Sequence, residues 1–197
     1  MTKRRRIVLW SAAALAVLGV TVWLICPSGP PDPVYNGHRL SFYLSVLPPS
    51  QDWLNTDLLD SNAVPYLVHT LKQHDGSVRR AYIRCYPRLP AWLQNRLGYP
   101  TPAVRRKFTA CGFLGGMGPT ARPAIPDLIQ LVGSSEETLA RVSAIQALSR
   151  IASRNDGDVM ACLATASKDA DISVRTAAVI ALQQLDPRIG PNDATMP

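Results

Sequence analysis

DISVRTAAVIALQQL, residues 171–185, is the stretch that decides the fold of the chain. It begins with an aspartate and has an arginine four positions later. Apolar residues then recur at i, i+3, i+4 and i+7, which is typical of one face of an amphipathic helix. Residues 137–151, ETLARVSAIQALSRI, show the same pattern 34 positions earlier. A helical unit that recurs in this way predicts a repeat protein.

Two further stretches begin in the same way. Residues 75–79 read DGSVR, and residues 101–105 read TPAVR. Successive arginines of the four stretches are 26, 36 and 34 residues apart, which is close to the size of one helix–turn–helix repeat. The residues that frame the repeats are expected to be structural: Asp75, Arg79, Arg105, Glu137, Arg141, Asp171 and Arg175.

A second helix precedes most of these stretches. AVPYLV at residues 63–68 matches AIPDLI at residues 124–129, and VMACL at residues 159–163 is a weaker third copy. A proline is tolerated in a first helical turn, because the N–H at that position has no partner inside the helix. Helix pairs of this size stack into an α-solenoid, in which each unit buries its apolar face on the next.

The proline-containing first helix, the Asp-x-x-Val-Arg start and the alanine-rich second helix resemble HEAT repeats over residues 61–187. The resemblance implies an all-α fold, an α-solenoid of about four HEAT-like helical hairpins. The second unit departs from the pattern, so residues 86–101 are expected to be irregular. YNGHRLS at residues 35–41 and GPTARPAIP at residues 118–126 also resemble motifs of bacterial membrane-anchored HEAT-repeat proteins. That resemblance implies an architecture but no activity.

The N-terminus predicts a transmembrane helix. Residues 7–26 carry no charge, and twenty helical residues span about 30 Å, the thickness of the hydrocarbon core. Four positive charges precede the run, so the positive-inside rule places the N-terminus in the cytoplasm. The remainder is then exported across the inner (plasma) membrane. The alternatives are a cleaved signal peptide, disfavoured by the bulky residues before Pro27, and lipidation of Cys26, disfavoured by Ile25 before it.

Composition and pattern divide the chain into five segments. They are a cytoplasmic basic tip with the signal anchor at 1–26, a proline-rich linker at 27–33, an N-terminal capping segment at 34–60, the HEAT-like repeats at 61–187 and a tail at 188–197. The capping segment is apolar enough to cover the open face of a terminal repeat, which otherwise stays exposed to water.

Positive charge is concentrated in one part of the chain. Residues 72–107 contain nine basic residues and one acidic residue. The candidate binding residues are Arg80, Arg84, Arg88, Arg96, Arg106 and Lys107. A basic surface attracts acidic proteins, phospholipid headgroups or nucleic acid, and a solvated face without a ligand is the structural alternative. Nucleic acid is disfavoured, because an exported domain faces away from the chromosome.

The sequence contains no motif for catalysis, a metal or a cofactor. His-Glu-x-x-His, Cys-x-x-Cys and Gly-x-Ser-x-Gly are all absent, so we predict no enzyme activity, no metal and no cofactor. Cys85, Cys111 and Cys162 are expected to be small buried residues. The predicted function is a non-catalytic, membrane-anchored scaffold or adaptor that binds another protein. One alternative is a membrane-surface module that binds anionic headgroups through residues 72–107, and a weaker one is a HEAT-like lyase or glycosylase. The sequence does not define the oligomeric state.

Overall fold

The computed structural model of the protein describes residues 30–35, 37–45, 59–97, 100–134 and 137–188. The predicted transmembrane segment at residues 7–26, residues 46–58 of the capping segment and the tail beyond residue 188 lie outside these ranges. Among the described residues, no helix is both long enough and apolar enough to cross a membrane. The contacts divide the chain into Met1–Pro30 and Pro31–Pro197. Apart from Pro30, every described residue belongs to the second unit.

The described part of the chain is mostly helical, so the all-α prediction is confirmed. A two-residue antiparallel ladder, Val34–Tyr35 (β1) with His38–Arg39 (β2), precedes the helices. The α-helices are Leu40–Ser45 (α1), Ala63–Lys72 (α2), Ser77–Cys85 (α3), Ala91–Leu97 (α4), Ala103–Met117 (α5), Ile125–Val132 (α6), Thr138–Ile151 (α7), Gly157–Ala166 (α8) and Ile172–Leu185 (α9). Short 3-10 helices span Tyr86–Arg88 and Gly118–Ala124.

The larger helices pack in two rows. The first row is α5, α7 and α9, and each of these helices contacts the next. The second row is α2, α6 and α8, which also contact one another in that order. Across the rows, α2 packs on α5, α6 on α7 and α8 on α9. Helix α1 adds to this core by packing on α5 with Leu40 and Leu44 buried.

The first row repeats with a constant period. Helices α5, α7 and α9 end at residues 117, 151 and 185, which are 34 residues apart. Their buried positions share the same spacing, so the period describes packing as well as helix length. The corresponding buried sets are Ala110, Ala144 and Ala178, and Leu114, Leu148 and Leu182.

The predicted register of the earlier repeats is wrong. Counting 34 residues back from Arg141 gives Lys107, whereas the sequence alignment placed Arg105 in that position. Val104 and Arg105 match the Val-Arg pair that begins other repeats, and this match led to the wrong register. The burial pattern nevertheless fixes the true register, because the large apolar residues follow Lys107 at the spacing that they have after Arg141.

The predicted first hairpin is also wrong. Helix α2 packs on α5 rather than on α3, and α3 has no buried residue. The described residues therefore form three helix pairs, where the sequence predicted about four. The departure from the repeat pattern begins at residue 77 rather than 86, because α3 is helical but is not paired in a repeat. The physical reason is the composition of α3, which has three arginines in nine residues and too few apolar side chains to bury a face.

Local signals place the helix ends close to where the sequence puts them. Pro65 and Pro126 lie in the first turns of α2 and α6, as predicted. Asp171 caps α9 by accepting a hydrogen bond from the Ser173 N–H at 2.8 Å. Gly118 ends α5 with a φ of 57°, a conformation that glycine adopts without strain. A Cβ at Gly115 would lie 3.2 Å from the Cα of Ala147, so this glycine lets α5 and α7 approach closely.

Candidate functional site

Residues 77–97 form a segment that we call the arm. It consists of α3, the 3-10 turn at Tyr86–Arg88 and α4. None of its described side chains is buried. Segments that contribute nothing to a core are common sites of binding, because their side chains remain available to a partner.

The arm carries four exposed arginines, Arg80, Arg84, Arg88 and Arg96. None of their guanidinium groups forms a hydrogen bond or an ion pair with another residue in the described part of the chain. The sequence contains no aspartate or glutamate from residue 76 to residue 126. The arm is therefore a region of uncompensated positive charge, as the sequence predicted for these four residues.

An apolar strip runs beside these charges. Val78, Ala81 and Cys85 lie at i, i+3 and i+7 of α3, so they share one helix face, and all three are exposed. Val78 is 86% exposed, and Trp92 on α4 is 69% exposed. The prediction that Cys85 is buried is wrong. The arm thus combines exposed apolar side chains with cations on adjacent positions.

The base of the arm is held by a charged cluster around Asp75. The Asp75 carboxylate accepts a hydrogen bond from the Ala103 N–H at 2.8 Å and lies 3.2 Å from Nε of Arg79. A guanidinium nitrogen of Arg106 lies 3.6 Å from the same carboxylate. Arg106 also donates to Oε1 of Gln73 at 2.6 Å. Asp75 thereby joins the loop after α2 to the N-terminus of α5.

This cluster removes Arg106 from the predicted binding surface. The Arg106 side chain is mostly buried, and burial, followed by the nearby charge of Arg79, lowers its pKa from the usual value. Arg79 uses a second guanidinium nitrogen to donate to the backbone carbonyl of Thr101 at 2.8 Å. Arg79 holds the backbone at Thr101, and Arg106 holds the side chains of Gln73 and Asp75, so neither arginine is directed at a ligand.

Lys107 is also wrongly predicted as a surface residue. Its side chain is 1% exposed, and it takes the interior position that Arg141 takes in the next helix of the row. It lines a cavity of about 420 Å³. The ion pair between Lys72 and Asp127, with 2.8 Å between its atoms, lies at the same cavity. No short motif could have indicated this cavity, because its lining comes from helices separated by more than fifty residues.

The frame arginines of the two later repeats, Arg141 and Arg175, bind turns. Arg141 donates to the carbonyl of Val132 at 2.8 Å and forms an ion pair with Asp169. Arg175 donates to the carbonyls of Asp169 and Ala170, both at 2.8 Å. The bond from Arg141, followed by that from the Asp171 N–H, lowers the pKa of the Asp169 carboxyl. These contacts fasten α7 and α9 to the turn between α8 and α9.

The described residues contain no cluster of three or more histidine, cysteine or acidic side chains that could hold a metal ion. Cys111 is buried as predicted, and it lines a second cavity of about 220 Å³. Burial raises its pKa to about 12, which keeps the thiol protonated at neutral pH. A protonated thiol is a weak nucleophile, so this cysteine is suited to packing rather than to covalent chemistry.

The described part of the chain is thus an all-α body with a cationic arm. Comparison with family models, with curated proteins and with solved structures gives no match.

Proposed function

We propose that the chain is a non-catalytic scaffold or adaptor, anchored in the inner membrane by residues 7–26, whose HEAT-like α-solenoid binds another protein. The observation that carries this proposal is the 34-residue period shared by helix ends and buried positions in α5, α7 and α9. A constant period is typical of solenoids, and solenoids present extended surfaces to partner proteins. The resemblance of residues 61–187 to HEAT repeats points to the same architecture.

Exposed apolar side chains support a protein-binding role for the first row of helices. Leu139 lies in the first turn of α7 and is 49% exposed, and Ile172 begins α9 and is 67% exposed. The Thr138 hydroxyl at the start of α7 donates a hydrogen bond to the Asp171 carboxylate at the start of α9, so the first turns of these helices lie at the same edge of the row. Large apolar side chains at such an edge contribute affinity when a partner covers them.

Photo-crosslinking in the native cell tests the adaptor proposal. A crosslinking residue is placed at Leu139 or Ile172, and at the exposed Asn155 as a matched control on a turn. We expect one membrane or exported protein to be captured from positions 139 and 172 and not from 155. The same adducts from all three positions, or none above the control, would contradict the proposal.

The proposed topology has a separate test. Cys85 is exposed, whereas Cys111 is buried. A membrane-impermeant maleimide added to intact spheroplasts should therefore label the chain, and Cys85→Ser should remove most of that label. Labelling of Cys85 that requires lysis would place the helical unit in the cytoplasm.

A further inference from the structure

We propose that the arm, residues 77–97, is a docking element that lies on an anionic phospholipid surface. The inference rests on the proposed membrane anchoring and adds a second attachment to it, separate from the protein-binding edge of α7 and α9. It concerns a smaller set of residues than the basic segment of the sequence, because Arg79, Arg106 and Lys107 are used within the fold.

The unpaired positive charge of the arm favours binding to an anionic surface. Four cations of this region, Arg80, Arg84, Arg88 and Arg96, are exposed and have no side-chain partner among the described residues, and all four lie on the arm. In the rest of the described chain many cations are paired, as with Arg122 and Asp156 or Arg141 and Asp169. An unpaired cationic segment is attracted to the negative potential of an anionic leaflet, and the attraction falls as salt screens it.

The exposed apolar residues of the arm favour a lipid surface in particular. A helix with exposed apolar residues on one face and arginines beside them lies flat at a bilayer interface, with its apolar face among the acyl chains. Val78, Ala81 and Cys85 form such a face on α3. Trp92 is exposed on α4, and indole rings favour the headgroup region. Arginine can extend its stem along apolar surface while its guanidinium stays among the phosphates.

The order of the groups favours lipid over an acidic protein. Exposed arginines and exposed apolar side chains occur on both helices of the arm, and no acidic residue lies between them in the sequence. A bilayer presents phosphate and hydrocarbon in two continuous layers, so it satisfies the charged and the apolar side chains together. A folded acidic partner would need an apolar ridge that complements the strip. Binding of such a protein by the arm would therefore contradict the inference.

The test measures the depth of Trp92 in vesicles. The full chain and its Trp92→Phe variant are reconstituted into vesicles with brominated acyl chains, made of phosphatidylcholine alone or with phosphatidylglycerol. The difference between the two chains reports the fluorescence of Trp92 alone. We expect the anionic vesicles to quench this fluorescence at least about twofold more than the neutral ones. The effect should disappear in about 1 M salt, where charges are screened within about 3 Å.

Two matched variants separate the arm from general charge. R80Q/R84Q/R88Q/R96Q removes the free cations of the arm, and R150Q/R154Q/K168Q/R188Q removes four exposed cations elsewhere. Each set lowers the formal net charge of +7 by four. Only the first set should abolish the lipid-dependent quenching, and far-UV circular dichroism confirms that both variants stay folded.

Several results would overturn the inference. These are equal quenching in neutral and anionic vesicles, equal loss in the two variants, or photo-crosslinks from position 92 to protein instead of lipid. Flotation of the chain with neutral vesicles reports on the anchor by itself. A chain that floats while its Trp92 stays unquenched retains the proposed anchor and refutes the docking role of the arm.

Discussion

Helices of the first row and of the arm begin with similar sequences, but the first row is buried and the arm is exposed to solvent. Helices α7 and α3 both follow a turn, and both have an arginine four residues after the N-cap position. Seven residues of α7 are buried, whereas α3 has none. The start of a helix therefore does not determine its environment. The residues that follow do, since α7 continues with alanine, isoleucine and leucine and α3 continues with arginine and tyrosine.

The largest effect on stability is expected in the buried first row of helices. Leu148 is fully buried in α7, and Leu148→Ala should lower the free energy of unfolding by about 2–5 kcal/mol, because it leaves a cavity in the row. Leu139→Ala, on the same helix but half exposed, should cost less than about 1 kcal/mol. Urea denaturation measures both. Equal losses would mean that the row is not the stabilising core.

A second pair of variants tests the close approach of α5 and α7. Gly112 has open space at its Cβ position, so Gly112→Ala should stabilise the helix by about 0.5–1 kcal/mol. Gly115→Ala would bring a methyl group to 3.2 Å from the Cα of Ala147, and it should be less stable than Gly112→Ala by about 1–3 kcal/mol. Thermal unfolding of the two proteins compares them directly. Similar midpoints would show that the contact between the helices can relax.

Acid should weaken the end of the row near α9. Asp169 has a lowered pKa because it accepts from Arg141, and that of Asp171 is lowered chiefly by the Thr138 hydroxyl. A carboxyl whose folded pKa is depressed contributes stability that is fully present above its unfolded pKa and lost as the pH falls through the folded value. We expect unfolding midpoints to fall below about pH 4, where unfolded aspartates take up protons.

Asp169→Asn isolates this effect. The variant should be less stable at neutral pH and should lose less on acidification than the parent chain. Asp158→Asn is the control, since the Asp158 side chain is exposed and forms no hydrogen bond or ion pair with another residue of the described chain. A parallel acid dependence in the parent and Asp169→Asn proteins would assign the loss to other groups.

The smallest effect is expected in the arm. The four-arginine variant R80Q/R84Q/R88Q/R96Q should change the free energy of unfolding by less than about 0.5 kcal/mol per residue, because exposed, unpaired charges contribute little to stability. Val78→Ala should be similarly mild, since Val78 is 86% exposed. A cooperative loss of stability in either variant would show that the arm packs in solution.

The sequence predicted the helical fold and the later repeats because those repeats carry their own signals. The proline in α6, the aspartate before α9 and the apolar spacing of α7 are all local. The pairing of α2 with α5 could not be predicted, because it crosses thirty residues and depends on α3 failing to bury a face. The four exposed arginines of the arm were among the predicted binding residues. The burial of Arg106 and Lys107 was not predicted, because the Val104-Arg105 pair suggested a helix register two residues away from the one in which α5 packs.

The bond between Asp75 and the Ala103 N–H has a consequence for the evolution and engineering of the chain. It brings the two ends of a 27-residue excursion to within 2.8 Å, so the excursion is a closed loop on a complete helix pair. The entropy cost of closing a loop grows only logarithmically, by about 0.6 kcal/mol for each doubling of length. Residues 80–97 of this loop, which lie outside the cluster of Asp75, Arg79 and Thr101, can therefore be lengthened, shortened or exchanged for another sequence at little cost. New surface chemistry can be added at this position without rebuilding the helices beneath it.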